Sequence, residues 1–153
     1  MSADPQALYK RALNYALRLL SAREYSRYEL ITKLLQKYPQ DLAHQALAYC
    51  DEYGYVSDER CAQMLINHMY SAHYGPMRLN LEAAKRKIPT SIIEPLVAKV
   101  DWLKIALELL YKKYAELPSD LKERQKILAF LYRRGFSADI CYKAVDNFDK
   151  EQF

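Results

Sequence analysis

Glycine is scarce in this chain. There are three in 153 residues, Gly54, Gly75 and Gly135, beside six prolines. So few turn formers exclude an all-β sandwich or barrel, whose many hairpins depend on them. Cysteine is also scarce, and odd in number. Cys50, Cys61 and Cys141 stand far apart, among apolar neighbours and without a C-x-x-C. That excludes a disulfide framework and reads as reduced core thiols. His44, His68 and His73 do not share the i, i+4 spacing of a helical zinc site. No apolar run approaches the ~18 residues of a membrane span, and no charged-then-apolar segment opens the chain. The sequence is therefore read as cytoplasmic and soluble, with no membrane partner. P-loop, G-x-S-x-G and dinucleotide-binding patterns are missing. With no catalytic, metal-ligating or cofactor-binding residue to assign, the expectation is a protein that is not an enzyme and carries no cofactor.

What is present favours helix. Leu, Ala, Lys, Arg, Glu and Gln are abundant. Hydrophobic residues make up 51% and charged residues 27%, so the chain should fold into one ordinary domain or a short array of small units. Tyrosine is unusually common, at 14. Its apolar body and polar tip suit half-buried seams or contact surfaces. The formal net charge is +4, a mild basic excess compatible with a polyanionic partner. The excess is spread along the chain and forms no basic tail.

Hydrophobic spacing predicts nine helices. Leu8, Ala12, Leu13, Ala16 and Leu20 give one stripe over about residues 5–22. Ser26-Arg27-Tyr28-Glu29 is a capping box, followed by Leu30, Ile31, Leu34 and Leu35 and stopped before Pro39. A third helix starts near Gln40, carries Leu42, Ala43, Ala46, Leu47, Cys50 and Tyr53, and ends at Gly54. Ser57 should cap a fourth, with Cys61, Leu65, Met69 and Ala72 inward. Gly75-Pro76 breaks it and starts a fifth, with Leu79 and Ala83 inward, which ends at Ile88-Pro89. Ser91-Ile92-Ile93-Glu94 reads as a second capping box. The last three helices start near Asp101, at Ser119 or Asp120, and at Ser137. Gly135 is placed as a left-handed helix end with Phe136 folding back on the last turn. The tail after Asn147 is expected to fray.

The middle helices align with one another. Leu30, Leu34 and Lys37 correspond to Leu79, Ala83 and Arg86, and to Ile127, Leu131 and Arg134. The basic positions lie 49 and 48 residues apart. A unit of about 50 residues buries little core alone, so stacking on neighbours should stabilise it. The expected fold is all-α: an elongated, curved array of three tandem three-helix repeats, each helix-turn-helix-like in size. Repeat boundaries fall at 1–54, 55–100 and 101–148, with 149–153 as a tail.

Several blocks resemble the RecX family. Gly54-Tyr-Val-Ser-Asp-Glu-Arg-Cys-Ala is similar to its central block. Gly75-Pro-Met-Arg-Leu with Arg86-Lys-Ile-Pro resembles the block that follows. Tyr15 to Leu30 is similar to the family's opening, and Lys126 to Leu131 with Arg134-Gly-Phe to its closing repeat. Two departures stand out. The glycine usual after the basic residue is Tyr38 in repeat one and Lys87 in repeat two, so those helices are expected to end by another turn. The family's Phe in the central block is Cys61. The resemblance implies a regulator of the RecA recombinase; the chain is expected to act as a monomer. Such a protein binds the groove of the RecA–DNA filament and restrains filament growth, ATP hydrolysis and strand exchange. For some members it also implies binding of single- or double-stranded DNA. A general helical-repeat nucleic-acid-binding protein without RecA specificity is the alternative.

The candidate surface is basic. It comprises Arg27, Lys33 and Lys37 in repeat one, Arg78, Lys85, Arg86 and Lys87 in repeat two, and Arg124, Lys126, Arg133 and Arg134 in repeat three. Cations recurring at one phase of the middle helices would form a stripe for an acidic groove or a phosphate backbone. The competing reading is a solvated face whose C-terminal cations offset helix dipoles. Tyr53, Tyr55, Tyr70 and Tyr74 gather near the central block, where packing between repeats is favoured over base stacking.

Overall fold

A computed structural model of the chain describes residues 4–148. Among the described residues the backbone forms nine α-helices and no strand. They are α1 (Pro5–Ala22), α2 (Arg27–Leu35), α3 (Gln40–Glu52), α4 (Asp58–Ala72), α5 (Pro76–Lys85), α6 (Thr90–Lys99), α7 (Trp102–Lys113), α8 (Leu121–Arg133) and α9 (Ala138–Phe148). The expected fraying after Asn147 concerns residues that lie mostly outside those described; Phe148 itself is fully buried.

Side-chain caps start most helices. Ser26 forms the complete capping box of α2: its N–H donates to Glu29 Oε1 at 3.0 Å, and its Oγ accepts from the Glu29 N–H at 3.1 Å. Asp101 and Asp120 cap α7 and α8. Ser57 accepts from the Arg60 N–H at 3.1 Å, and Ser137 from the Ile140 N–H at 3.3 Å. The second box expected at Ser91–Glu94 does not start α6. That helix runs from Thr90, which puts Ser91 inside its first turn. Pro89 precedes it and its carbonyl accepts the Ile92 N–H at 3.0 Å. Pro39 stands before α3 in the same way. Pro39, the N-cap of α3, makes no side-chain cap bond.

Four helix ends turn through a left-handed residue: Gly54 (φ 73°), His73 (φ 59°), Lys87 (φ 50°) and Gly135 (φ 98°). At each, the next residue's N–H reaches back to the last turn: Tyr55 to Cys50 O, Tyr74 to Met69 O, Ile88 to Ala83 O and Phe136 to Leu131 O. This is the Schellman arrangement. Repeat two therefore keeps the left-handed end that its missing glycine argued against. Lys87 adopts the conformation at a cost of about 1 kcal/mol. Repeat one does end otherwise, with the Tyr38 N–H donating to Leu34 O at 2.9 Å.

The helices gather into two compact units, Met1–Met64 with Ala83–Ile92, and Leu65–Glu82 with Ile93–Phe153. In the first, α3 packs on both α1 and α2. Ala12 and Ala16 of α1 and Ala43 and Ala46 of α3 are fully buried, and such small residues let two helix backbones approach closely. Tyr25, Leu30, Leu34, Cys50 and Val56 complete this core. In the second unit α9 packs on α7 and α8 in the same way. Its core includes Trp102, Ile105, Leu110, Ile127, Leu131, Phe136 and Phe148. Trp102 Nε1 donates to Val97 O at 3.1 Å, and the Tyr111 hydroxyl donates to Phe148 O at 3.2 Å.

Two residues placed inward by spacing are instead exposed: Leu35 (45%) and Tyr53 (60%). Leu35 is the last residue of α2 and follows the fully buried Leu34, from which it is turned ~100° about the helix axis. Tyr53 lies just beyond the last turn of α3.

Candidate partner-binding surface

The eleven basic residues singled out from the sequence fall into two chemical groups. Lys33, Lys37, Lys85, Lys87, Lys126 and Arg133 are exposed; Arg27, Arg78, Arg86, Arg124 and Arg134 are half-buried. Every half-buried member is an arginine, and each holds part of the fold. The guanidinium is a planar fork of several donors, suited to tying carbonyls and carboxylates together, whereas a lysine head stays hydrated.

In the first unit, Arg27 Nε and Nη2 donate to Asp51 Oδ1 at 2.9 and 2.5 Å. That bond raises the arginine's pKa further. Asp58, 4% exposed, accepts the Arg27 backbone N–H at 2.9 Å. It thus satisfies a free amide at the start of α2 from the start of another helix. Ser26 Oγ donates to the Arg86 carbonyl at 2.7 Å, and Arg86 Nε lies 3.7 Å from Glu29 Oε1. The capping group of α2 therefore also satisfies a carbonyl just past the end of α5. Arg60 pairs with Glu24 at 3.1 Å. Two exposed lysines of this unit lie over tyrosine rings. Lys87 Nζ lies 4.4 Å from the Tyr28 ring centre, and Lys37 Nζ 4.4 Å from that of Tyr15.

In the second unit, Arg134 crosses to the end of α4. It donates to the carbonyls of Ala72 and His73, and its guanidinium sits 3.9 Å over the Tyr74 ring. Arg78 lies over the same ring at 4.4 Å and pairs with Glu82 at 3.2 Å. Arg124 Nε donates to Pro118 O at 2.8 Å, and Lys126 pairs with Glu123 at 3.2 Å. Beneath these side chains two loops meet backbone to backbone. The Gly75 N–H donates to Arg134 O, and the Met77 N–H to Gly135 O, both at 2.9 Å. A Cβ on Gly75 would overlap the Gly135 carbonyl, and one on Gly135 would stand 2.8 Å from Arg78 N.

The four tyrosines of the central block divide between the two units. Tyr53 and Tyr55 ring Tyr49 in the first unit, with centroids 4.6 and 6.4 Å away. Tyr70 and Tyr74 belong to the second. The sequence reading missed the exposed apolar side chains Met77, Leu81 and Tyr142, at 44, 53 and 60%. The available signal was their failure to fit the inward stripes of α5 and α9.

The three thiols are buried and unpaired. Burial pushes those of Cys50 and Cys61 up to about 11, so they stay protonated at neutral pH. Among the described residues, no group of three His, Cys, Asp or Glu is arranged to hold a metal ion. No described helix is long and apolar enough to cross a membrane.

Helices in trios, joined by left-handed turns and tied by arginines, define an all-α three-helix-repeat protein. Residues 12–50 match the family model for the first three-helix domain of RecX, and residues 100–145 that for the third. The regulatory protein RecX of Acinetobacter baylyi is 32% identical over 143 residues, covering 92% of this chain and 89% of its own. That of Haemophilus ducreyi is 34% identical over 128 residues, 82% of this chain and 84% of its own. That of Salmonella typhimurium is 31% identical over 154 residues, 92% and 93% of the two chains. The crystal structure of RecX from Lactobacillus salivarius superposes with a TM-score of 0.83 at 23% identity, over 95% of this chain and 99% of its own. The chain belongs to the RecX family of regulatory proteins.

Proposed function

We propose that this protein is a non-catalytic modulator of the RecA recombinase, chiefly an inhibitor. It binds the groove of the RecA–DNA filament and restrains filament growth, ATP hydrolysis and strand exchange. It acts in the cytoplasm, as a monomer, with repeats 1–54, 55–100 and 101–148 each presenting a middle helix. One observation carries the reading: identity of 31–34% to regulatory RecX proteins over 82–92% of the chain. The exposed cations Lys33, Lys37, Lys85, Lys87, Lys126 and Arg133 support it as the basic part of the contact. Unpaired buried thiols suit a reducing compartment.

The test adds substoichiometric protein to RecA on single-stranded DNA and follows ATPase and strand exchange at low salt. Both should fall; no effect on either sinks the reading. Charge reversal at Lys33, Lys37, Lys87 and Arg133 should weaken filament binding while lowering the melting temperature only slightly, since Lys37 and Lys87 each give up one exposed contact with a ring, worth about 0.5–1 kcal/mol. An unchanged affinity removes the basic surface from the contact. A general nucleic-acid binder would instead hold an oligonucleotide tightly without RecA, with a steep salt dependence.

A further inference from the structure

The second unit exposes apolar side chains that its core does not use. Met77 and Leu81 lie one turn apart on α5, and Tyr132 and Tyr142 project from α8 and α9. Two adjoining depressions share Tyr132. One runs between Tyr132 and Tyr142 over Leu128, Ala129 and Cys141. The other lies between Tyr132 and Met77, floored by Gly135 and flanked by Leu81, Arg78 and Arg133. Single exposed apolar residues are ordinary, but several on adjoining depressions mark a contact site.

The two sides of this face are held rigidly. The paired bonds Gly75 N–H to Arg134 O and Met77 N–H to Gly135 O fix the start of α5 against the α8–α9 turn. A preformed face loses little conformational freedom on binding. Arg78 pairs with Glu82, and Lys143 with Asp139 beside Tyr142; Arg133 is exposed at the rim.

We propose that Met77, Leu81, Tyr132 and Tyr142, with Arg133 at their edge, form an anchoring site for an apolar segment of a protein partner that carries a carboxylate to Arg133. Tyrosine, methionine and arginine are the residues that dominate such anchors, and a guanidinium takes a carboxylate in a two-pronged bond. A nucleic acid fits less well. Arg133 with the Glu82-paired Arg78 neutralises little phosphate; Tyr132 and Tyr142 do present ring faces to a base, so the test reads oligonucleotide binding beside filament binding. The site rests on the proposed function, in that the partner is a RecA subunit of the filament.

Three full-length variants test it: Leu81→Ser, Tyr132→Ser and Tyr142→Ser. Their binding to RecA filaments on single-stranded DNA with an ATP analogue is measured by cosedimentation. Binding to a fluorescein-labelled oligonucleotide without RecA is measured beside it, and melting is followed by circular dichroism. Filament affinity should fall at least about tenfold for Tyr132→Ser, with smaller losses for the other two. Oligonucleotide binding should stay within about twofold and melting within a few degrees. Unchanged filament affinity in all three folded variants overturns the site and leaves the proposed function standing. Equal losses toward the oligonucleotide turn the face into a nucleic-acid site and also overturn it. If the wild-type protein fails to bind filaments, the proposed function falls and this site with it.

Discussion

Two glycines show how a single residue acquires its meaning from a distant one. Gly75 and Gly135 are 60 positions apart, yet their backbones touch. Both were legible as breaks between helices, and Gly135 also as a left-handed helix end. Their meeting was not legible, because chain spacing carries no information about which loops dock. The glycine substitutions should therefore separate. Gly54 has φ 73° with open space around it, so Gly54→Ala should cost about 1–2 kcal/mol, the left-handed strain alone. Gly135→Ala adds a collision with Arg78 N and should cost about 2–4 kcal/mol. Gly75→Ala meets backbone that cannot rotate away and belongs at the upper end of overpacking costs, about 3 kcal/mol. Urea unfolding of the three variants checks the order. If Gly75→Ala costs no more than Gly54→Ala, the close approach is refuted. The basic residues teach the same lesson. Sequence phase grouped Lys37, Arg86 and Arg134 as equivalents, but only Lys37 is exposed. The arginines' partners, Glu29 for Arg86 and the α4 carbonyls for Arg134, lie far off in sequence.

At the scale of an element, the start of α2 is more than the capping box its sequence announces. Three donors there are satisfied from three sources. The Ser26 N–H goes to Glu29, the Glu29 N–H to Ser26 Oγ and the Arg27 N–H to the buried Asp58. The Ser26 hydroxyl then gives its own hydrogen to the Arg86 carbonyl. Ser26→Ala removes a cap worth about 1 kcal/mol and the hydrogen bond to that carbonyl, worth about another 1 kcal/mol, for a total near 2 kcal/mol. Ser26→Asp distinguishes the two contributions. At an ordinary N-cap, Asp equals Ser. Here it can accept from Glu29 but cannot donate to Arg86, and its charge faces a carbonyl oxygen. Ser26→Asp should therefore remain destabilised in thermal melts; wild-type stability would reduce Ser26 to a plain cap. The pattern S-x-x-E was readable at Ser26 and misleading at Ser91. There α6 begins at Thr90, so Ser91 lies inside the first turn and not at the cap position, and a local motif cannot report a helix start displaced by one residue.

For the whole molecule, the sequence repeat and the packing unit differ. The number of helices, their bounds and their grouping by threes follow from spacing and breaks, which are local. The compact units do not follow those bounds. Val56, Asp58 and the Arg86–Ile88 turn lie beyond the first sequence repeat, yet they belong to the unit built on α1–α3. Val56 is 2% exposed within that core, Asp58 supplies an acceptor to α2, and the Arg86 carbonyl receives Ser26. A stretch that ends at Gly54 loses all three. It keeps its helical pattern but exposes the edge of the core and two polar groups whose partners are gone. A fragment 1–54 should therefore show weak, non-cooperative helix by circular dichroism, since three short helices are marginal without packing. A fragment 1–92 restores the missing contacts and should unfold in a single urea transition. Equal midpoints for the two fragments would mean that the first repeat folds alone and that the contacts beyond Gly54 are incidental to it.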